Sequence, residues 1–168
     1  MPNYYIIGFM GAGKTTIGKK FASKIGYKFI DIDNYIEEKN KHSISSIFNL
    51  VGEEGFRKVE NKALLEVSLF DNCVISVGGG TPCFFNNMEI IKKTGKSVYL
   101  KYPPSFLYQR LIHAKKKRPL IKEKKDDLLN YISETLSKRE FYYLQADYNI
   151  EEINLKVSDL IKTLGLAK

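Results

Sequence analysis

The 168-residue sequence predicts an α/β fold, in which a parallel sheet of five strands is covered on both faces by helices. Short apolar runs alternate with amphipathic segments of helical length along the whole chain. Right-handed crossovers between such strands place helices on both faces and gather functional loops at the carboxyl ends of the strands. The predicted strands cover 4–7, 28–31, 73–77, 97–100 and 148–150, and the predicted helices cover 15–25, 33–40, 54–70, 87–94, 104–112, 126–142 and 153–164.

Length and composition indicate one compact domain. Hydrophobic residues make up 43% and charged residues 27% of the chain, which is ordinary globular composition. No internal repeat, low-complexity tract or linker interrupts residues 1–168, so a single domain is expected. Cys73 and Cys83 show neither metal-ligand spacing nor a disulfide framework. No apolar stretch approaches the ~20 residues of a membrane span, and Met1 stands almost directly before a strand, so a cytoplasmic protein without membrane contact is expected.

The net charge indicates an anionic ligand. Lys and Arg number 27 against 19 Asp and Glu, a formal charge of +8, which suits nucleic acid, a membrane surface or a small polyanion. The longest basic run, 115–118, lacks the interleaved aromatic residues of a single-strand binding platform. The pattern therefore favours a small polyanion over nucleic acid. A nucleic-acid-binding module is the alternative from another class, and steep salt dependence of RNA or DNA binding would reveal it.

A glycine-rich segment directly follows the first predicted strand. Residues 8–16 read GFMGAGKTT and fit the pattern G-x-x-x-x-G-K-[ST] between a strand and a helix. Glycines allow a tight turn that points successive N–H groups at phosphate oxygens, and the following helix adds the positive end of its dipole. Lys14 is predicted to bridge the β- and γ-phosphates of a nucleotide, and the Thr15 hydroxyl to bind Mg²⁺. The predicted nucleotide contacts are Gly11, Ala12, Gly13, Lys14, Thr15 and Thr16.

Other features favour a kinase among the proteins that carry this loop. An Asn-Lys-x-Asp tetrad, which reads guanine, is absent from the sequence, so a GTPase is not expected. The small size favours a kinase whose acceptor pocket and lid are insertions between strands. The charged, non-periodic stretch 113–125 is predicted to be that lid.

Two acids end the second predicted strand, in the sequence Asp31-Ile32-Asp33. Alternation along a strand would place both carboxylates on one side, beside the phosphate loop. One acid would then hold Mg²⁺ through water while the other accepts the proton of an acceptor hydroxyl. The alternative leaves Asp33 as the N-cap of helix 33–40.

Three glycines, 78–80, follow the third predicted strand. Glycine there lets a ligand approach the backbone with no side chain in the way. A flexible turn is the alternative interpretation.

Together with residues 55–60, 118–120 and 138–139, these segments resemble the shikimate kinase family over nearly the whole chain. The resemblance implies a nucleoside-monophosphate-kinase-like α/β/α sandwich with strand order 2-3-1-4-5. It also implies ATP-dependent phosphorylation of the 3-hydroxyl of shikimate in aromatic amino-acid biosynthesis. The acceptor-binding region would cover about 33–62 by that resemblance, and a monomer is expected.

The resemblance also implies roles for single residues. Asp33 would bind the acceptor hydroxyls and act in catalysis, while Arg57 and Arg139 would clamp the acceptor carboxylate. A guanidinium suits that task because it presents paired planar donors and stays charged. Backbone contacts would come from Gly79 and Gly80, a water-mediated Mg²⁺ contact from Asp31, and a catalytic lid contact to the ATP phosphates from Arg118. Taken singly, both arginines also fit solvated helix faces, and the apolar periodicity of 54–70 places Arg57 and Glu60 off the packed face.

One position departs from the family pattern. The family often has a basic residue seven positions before the lid arginine to stack on adenine, whereas this chain has Leu111 there, with Arg110 beside it. The segment 150–156, which by resemblance carries the adenine loop, lacks the usual basic or proline-containing pattern. The contacts to adenine are therefore unassigned from the sequence. A related kinase for another polyol acid such as gluconate is the rival within enzymes, and it would lack the arginine pair.

Overall fold

The computed structural model describes residues 2–114 and 127–166 of the chain. Within those residues, five strands form one sheet in the order β2-β3-β1-β4-β5, and every neighbouring pair is parallel. The strand order that the resemblance implied is therefore confirmed. The strands are β1 (Asn3–Ile7), β2 (Lys28–Asp31), β3 (Cys73–Ser76), β4 (Gly95–Leu100) and β5 (Tyr148–Ile150).

Helices connect the strands in the manner of successive crossovers. They are α1 (Lys14–Ile25), α2 (Ile32–Asn40), α3 (Ile44–Val67), α4 (Asn87–Thr94), α5 (Pro104–Ile112), α6 (Leu128–Tyr143) and α7 (Val157–Thr163). Helix α1 packs on β2 and β3 and contacts α7, whereas α4 packs on β4 and contacts α3. In the described part of the chain, no helix combines the length and the apolar character needed to cross a membrane.

The two central strands explain why helices cover both faces of the sheet. Every residue of β1 and of β3 is buried. Continuous burial, rather than alternation of buried and exposed residues, is typical of parallel strands with a helical layer on each side. The polar residue of β1, Asn3, is satisfied because its side chain accepts from the N–H of Cys73 at 2.9 Å and donates to the carbonyl of Phe70 at 2.6 Å. The three-layer α/β/α prediction is confirmed.

Helix α3 differs most from its prediction. It was predicted over 54–70, but it begins at Ile44, after the N-cap Ser43, and ends at Val67. Gly52 interrupts the helix with φ 71° and ψ −177°, a backbone conformation that residues other than glycine rarely adopt. The apolar periodicity restarts after this break, so the stretch before Gly52 was not recognised as helical.

The other elements follow the predicted order. The predicted bounds of β2, β5, α4 and α5 are confirmed without change. Helix α7 begins four residues later than predicted, at Val157, and a short 3₁₀ turn, Thr81–Cys83, was not predicted.

Parallel pairing brings three segments to one edge of the sheet. In the register of the strands, Ser76 at the end of β3 lies between Ile6 of β1 and Asp31 of β2. The segments that follow these strands therefore start side by side at the carboxyl edge, where ligands bind in open α/β sheets.

Candidate active site

The phosphate loop, defined here as residues 8–13, connects β1 to the first turn of α1. Gly11 and Gly13 have φ values of 80° and 90°, in the left-handed region that favours glycine. A Cβ added at Gly11 would also lie 3.0 Å from the Leu111 side chain. The N-cap residue of α1 is Gly13, which has no side chain to cap the helix. The N-terminus of α1 thus presents the positive end of the helix dipole at the phosphate loop, as the sequence pattern predicts.

Lys14 is buried against the loop that precedes it. Its Nζ donates to the carbonyls of Gly8 at 2.8 Å and Phe9 at 3.0 Å. The positive charge therefore lies at the phosphate loop itself, where it would neutralise bound phosphate oxygens.

Thr15 and Asp31 form a pair of oxygen donors beside the loop. The Thr15 hydroxyl donates to Asp31 Oδ2 at 2.7 Å. Hydroxyl and carboxylate oxygens are ligands that Mg²⁺ accepts, and Mg²⁺ usually completes its shell with water and substrate phosphates. Among the described residues, no group of three or more His, Cys, Asp or Glu side chains could hold a metal by itself. The pair therefore fits a Mg²⁺ ion bound largely through nucleotide and water.

Asp33 does not lie on a strand, and the alternation argument for it was wrong. Ile32 already begins α2, and the N-cap is Asp31, whose Oδ1 accepts from the N–H of Asp33 at 3.1 Å. The alternative, in which Asp33 is the N-cap, was wrong for the same reason. The first turn of α2 nevertheless directs Asp33 toward the third strand, because its Oδ1 lies 3.7 Å from the position that a Cβ would take at Gly78.

The glycine turn, defined here as residues 78–81, follows β3 and is closed by a hydrogen bond from the N–H of Thr81 to the carbonyl of Gly78 at 3.1 Å. None of its glycines has a positive φ, so the backbone conformation does not require glycine. Glycine is needed here because a larger residue would not fit. A Cβ at Gly80 would lie 2.7 Å from Arg57 Nη1, and one at Gly79 would lie 3.2 Å from Arg139 Nη1. The turn is therefore packed against two guanidinium groups.

Arg57 of α3 and Arg139 of α6 meet at this turn although they are distant in sequence. Arg57 pairs with Glu60 at 3.1 Å and Glu53 at 3.6 Å, and its guanidinium lies 4.1 Å from the centroid of the Phe84 ring. Its side chain is only 13% exposed, so a solvated helix face is excluded for Arg57. Its Nε is buried without a hydrogen-bond partner among the described residues.

Arg139 is half-buried, with its guanidinium 5.5 Å from the centroid of the Phe9 ring of the phosphate loop. Burial raises the pKa of the nearby Cys83 thiol to about 11, although both arginine charges act to lower it. Both guanidinium groups therefore lie near Cys83, and such a pair of planar cations suits a carboxylate.

Sequence reasoning missed the carboxylate that supports Arg57. Glu60 is 1% exposed and accepts from the Thr81 hydroxyl at 2.6 Å as well as from Arg57. The periodicity of 54–70 placed Glu60 off the packed face, and that prediction was wrong. The signal was its position one helical turn from both Phe56 and Leu64, which are buried.

Near the nucleotide site, the basic residue does not stand at the position that the family pattern gives it. Leu111 is buried and packs under Gly11, so it belongs to the core. Arg110 instead lies at the start of α1, with its Nη2 3.1 Å from the position of a Cβ at Gly13. Its guanidinium also lies 5.6 Å from the centroid of the Phe106 ring. The sequence places Arg110 one residue before the position of the family's basic residue, and the structure puts its guanidinium beside the phosphate loop.

The predicted lid falls mostly outside the described residues. His113 and Ala114 follow α5, and Arg118 belongs to the stretch 115–125, which is not described.

Comparisons of the sequence with known proteins agree with this geometry. The sequence model of the shikimate kinase family matches residues 10–164. The chain is 47% identical over 156 residues to a shikimate kinase of Bacteroides thetaiotaomicron, covering 91% of this chain and 89% of the relative. It is 45% identical over 166 residues to one of Azobacteroides pseudotrichonymphae, covering 98% of each chain.

Solved structures show the same likeness. The crystal structure of shikimate kinase from Bacteroides thetaiotaomicron has a TM-score of 0.93 at 42% identity, covering 98% of this chain and 99% of that one. Shikimate kinase from Acinetobacter baumannii in complex with shikimate has a TM-score of 0.87 at 35% identity, covering 98% and 90%. A gluconokinase from Sinorhizobium meliloti, at 16% identity and a TM-score of 0.59, shares the fold alone. Because the family model matches residues 10–164, which include most of the phosphate loop and both arginine helices, the chain belongs to the shikimate kinase family.

Proposed function

We propose that this chain transfers the γ-phosphoryl group of ATP to the 3-hydroxyl of shikimate, giving shikimate 3-phosphate and ADP in aromatic amino-acid biosynthesis. The observation that carries the proposal is the meeting of Arg57 and Arg139 on adjacent glycines next to the phosphate loop. A Cβ at Gly79 would lie 3.4 Å from the backbone nitrogen of Met10. A carboxylate held by the arginines is therefore bound close to the place where nucleotide phosphates bind.

On the acceptor side, each group has a distinct task. Arg57 and Arg139 bind the carboxylate of shikimate through charge-assisted hydrogen bonds. Gly79 and Gly80 contribute backbone contacts, since no side chain separates them from the pocket. Asp33 binds the acceptor hydroxyls from the opposite side of the turn, and its carboxylate takes the proton of the 3-hydroxyl as that oxygen attacks the γ-phosphorus.

On the donor side, the N–H groups of residues 11–16 and the Lys14 ammonium bind the β- and γ-phosphates. As the bond from the γ-phosphorus to the ADP oxygen breaks, Lys14 neutralises the charge that moves onto ADP. We assign the Mg²⁺ contacts to Thr15 directly and to Asp31 through water, where the ion would neutralise phosphate oxygens.

Water must be kept from the γ-phosphate during transfer. We assign that task to the lid at 113–125, in which Arg118 would contact the ATP phosphates and act in catalysis. We also propose, as the sequence predicts, a cytoplasmic monomer without a nucleic-acid or membrane partner.

A coupled assay of ADP release tests the proposal. Shikimate, quinate, gluconate and nucleoside monophosphates are offered in turn with ATP and Mg²⁺. Release should be fastest with shikimate, because only an acceptor with its carboxylate and hydroxyls in register satisfies both arginines and Asp33. Faster release with gluconate, or with a nucleoside monophosphate, would overturn the acceptor assignment and leave the phosphate loop assignment intact.

A further inference from the structure

We propose that Tyr143 is a positioning residue for acceptor binding: its hydroxyl holds the carbonyl of Gly79 and thereby aims the N–H of Gly80 at the acceptor. The inference deepens the proposed function and rests on it, because it names a residue outside the pocket that shapes the acceptor site.

The contact comes from the last residue of α6. Tyr143 is fully buried, and its hydroxyl donates a short hydrogen bond to the carbonyl of Gly79. The direction of this bond is unambiguous, since a carbonyl oxygen only accepts. Burial raises the pKa of the Tyr143 phenol above its usual range, so the group stays protonated and remains a donor at neutral pH.

Because the peptide group is planar, the hydrogen bond from Tyr143 to the Gly79 carbonyl also determines the direction of the Gly80 N–H. The carbonyl of Gly79 and the N–H of Gly80 belong to one trans peptide, so they point in opposite directions. With the carbonyl held toward α6, the N–H of Gly80 points away from the Tyr143 hydroxyl. The Arg57 guanidinium packs against the same residue, 2.7 Å from the position of an added Cβ. In the part of the chain that the structure describes, no hydrogen bond uses this N–H.

The other carbonyls of the turn already accept hydrogen bonds. The carbonyl of Gly78 accepts from Thr81 at 3.1 Å, and that of Gly80 accepts from Cys83 at 3.0 Å. From the other side, buried Asn87 donates to the carbonyl of Thr81 at 2.8 Å. All four carbonyls of the turn therefore have donors, and the N–H of Gly80 is left to a ligand.

The peptide between two glycines needs a contact from another element, such as the Tyr143 hydrogen bond, to fix its orientation. Glycine adopts either hand of the backbone at little cost, so the peptide between two glycines can turn over with no side chain to oppose it. A reversed peptide would lose the N–H donor and turn a carbonyl oxygen toward the oxygens of the acceptor. Tyr143 prevents that reversal because the reversed carbonyl could not reach its hydroxyl.

The spacing on α6 links this hold to a substrate contact. Arg139 stands four residues before Tyr143, so both side chains lie on one face of the helix. The Arg139 guanidinium packs beside Gly79, and the Tyr143 hydroxyl bonds the carbonyl of the same residue. One helix face therefore determines both the position of a guanidinium and the orientation of the turn.

Tyr99 offers a matched control. Its ring packs against that of Tyr143 with centroids 5.0 Å apart, and its buried hydroxyl has no hydrogen-bond partner among the described residues. Tyr99→Phe removes the same chemical group from the same aromatic pair without touching the glycine turn.

The test is steady-state kinetics of Tyr143→Phe and Tyr99→Phe with shikimate and ATP, together with calorimetric binding of shikimate and thermal unfolding. Tyr143→Phe should raise KM and Kd for shikimate roughly tenfold, the factor that one lost hydrogen bond supplies, with KM for ATP changed less than about twofold. Tyr99→Phe should leave all three constants within about twofold. Unchanged shikimate constants in Tyr143→Phe, or equal changes for both substrates, would overturn the proposal.

A second measurement uses the unaltered protein and does not depend on how the variant folds. In ¹⁵N-labelled protein, the Gly80 amide proton should move downfield when shikimate binds, because it gains an acceptor. A Gly80 amide that does not respond would overturn the role of Tyr143. Failure of the proposed function is distinguishable, since it would appear as absent ADP release from the unaltered enzyme with shikimate.

Discussion

The phosphate loop and the glycine turn are both glycine-rich segments that follow central strands of one sheet, but their shapes have different origins. In the phosphate loop, Gly11 and Gly13 adopt left-handed φ values, and Lys14 bonds to carbonyls five and six residues away. In the glycine turn no glycine has a positive φ, and the contacts come from Glu60, Asn87 and Tyr143, which belong to three different helices.

The comparison teaches how substitutions should act in each segment. A change in the phosphate loop disturbs a structure that neighbouring residues build, and it should affect the nucleotide. A change around the glycine turn disturbs contacts between helices, and it should affect the acceptor. The effects on the two substrates therefore separate the two segments experimentally.

Asp33, which faces the glycine turn from the first turn of α2, should show the largest effect. Asp33→Asn should lower kcat about 10²- to 10⁴-fold, because the amide cannot accept the proton of the hydroxyl. Single-turnover transfer with saturating ATP and shikimate measures this loss. Glu38→Gln, at an exposed position of the same helix, is the control. A normal kcat in Asp33→Asn would reduce Asp33 to a first-turn charge that stabilises α2.

Lys14→Ala tests the phosphate loop. We expect kcat to fall about 10²- to 10³-fold, as for loss of one preorganised donor to developing charge, while Kd for shikimate changes little. ADP release and calorimetric binding of shikimate measure the two quantities. Lys19→Ala, on the exposed surface of α1, should behave like the unaltered protein. A loss of shikimate affinity as large as the loss of kcat would contradict the separation of the two segments.

The arginine pair tests the acceptor side. Arg139→Ala should cost on the order of 2–4 kcal/mol in kcat/KM for shikimate and leave KM for ATP nearly unchanged, because it removes one half of a charge-assisted clamp. Arg139→Lys should restore little, since a point charge cannot reproduce the planar fork. A ring analogue without the carboxylate is the control substrate, and equal losses on both substrates would refute the clamp.

Arg57→Ala should lose a similar share of kcat/KM, but it should also lower Tm. It removes the cation that pairs with Glu60, which is buried, and a buried carboxylate without its partner destabilises the fold. Thermal unfolding of the two alanine variants side by side measures this difference. An equal Tm in both would contradict the role of Glu60 as the support of Arg57.

Alanine at two glycines sharpens the comparison further. Gly80→Ala should raise KM for shikimate about tenfold, because its Cβ would lie 2.7 Å from Arg57 Nη1 and displace the guanidinium. Gly11→Ala should instead raise KM for ATP by a similar factor, through backbone strain of about 1–3 kcal/mol. Gly26→Ala, with φ 73° and open space around the added Cβ, should lower stability without changing either KM. A raised KM for ATP in Gly80→Ala, or a raised KM for shikimate in Gly11→Ala, would contradict the division of tasks between the two segments.

Arg110→Ala should have the smallest effect, a rise of about two- to fivefold in KM for ATP, as expected for loss of an exposed cation beside an aromatic ligand. Leu111→Ala should change KM for ATP less than Arg110→Ala does. It should lower the unfolding free energy by about 2–5 kcal/mol, because it leaves a cavity in the core under the phosphate loop. Kinetics and denaturant unfolding of both variants separate the roles. An unchanged KM in Arg110→Ala would remove this arginine from the nucleotide site.

Several features were readable from the sequence because they arise from contacts within a few residues. The bounds of β2, β5, α4 and α5 follow from local periodicity and turn residues. The phosphate loop follows from a contiguous pattern in which each glycine and Lys14 serve the loop itself. Competition between local structures caused the error at Asp33, since Asp31 caps a helix that begins one residue earlier than predicted.

On the acceptor side, the family resemblance pointed to the arginine pair, but no local pattern in the sequence did, and the contacts themselves depend on tertiary structure. The burial of Glu60, the meeting of Arg57 with Arg139 and the bond from Tyr143 to Gly79 all join residues from separate crossover units. No periodicity within one helix encodes such pairings, because they depend on how parallel strands bring distant helices to one edge of the sheet. The Gly79–Gly80 peptide depends most on tertiary structure, because neither residue has a side chain and a residue of another helix holds its carbonyl.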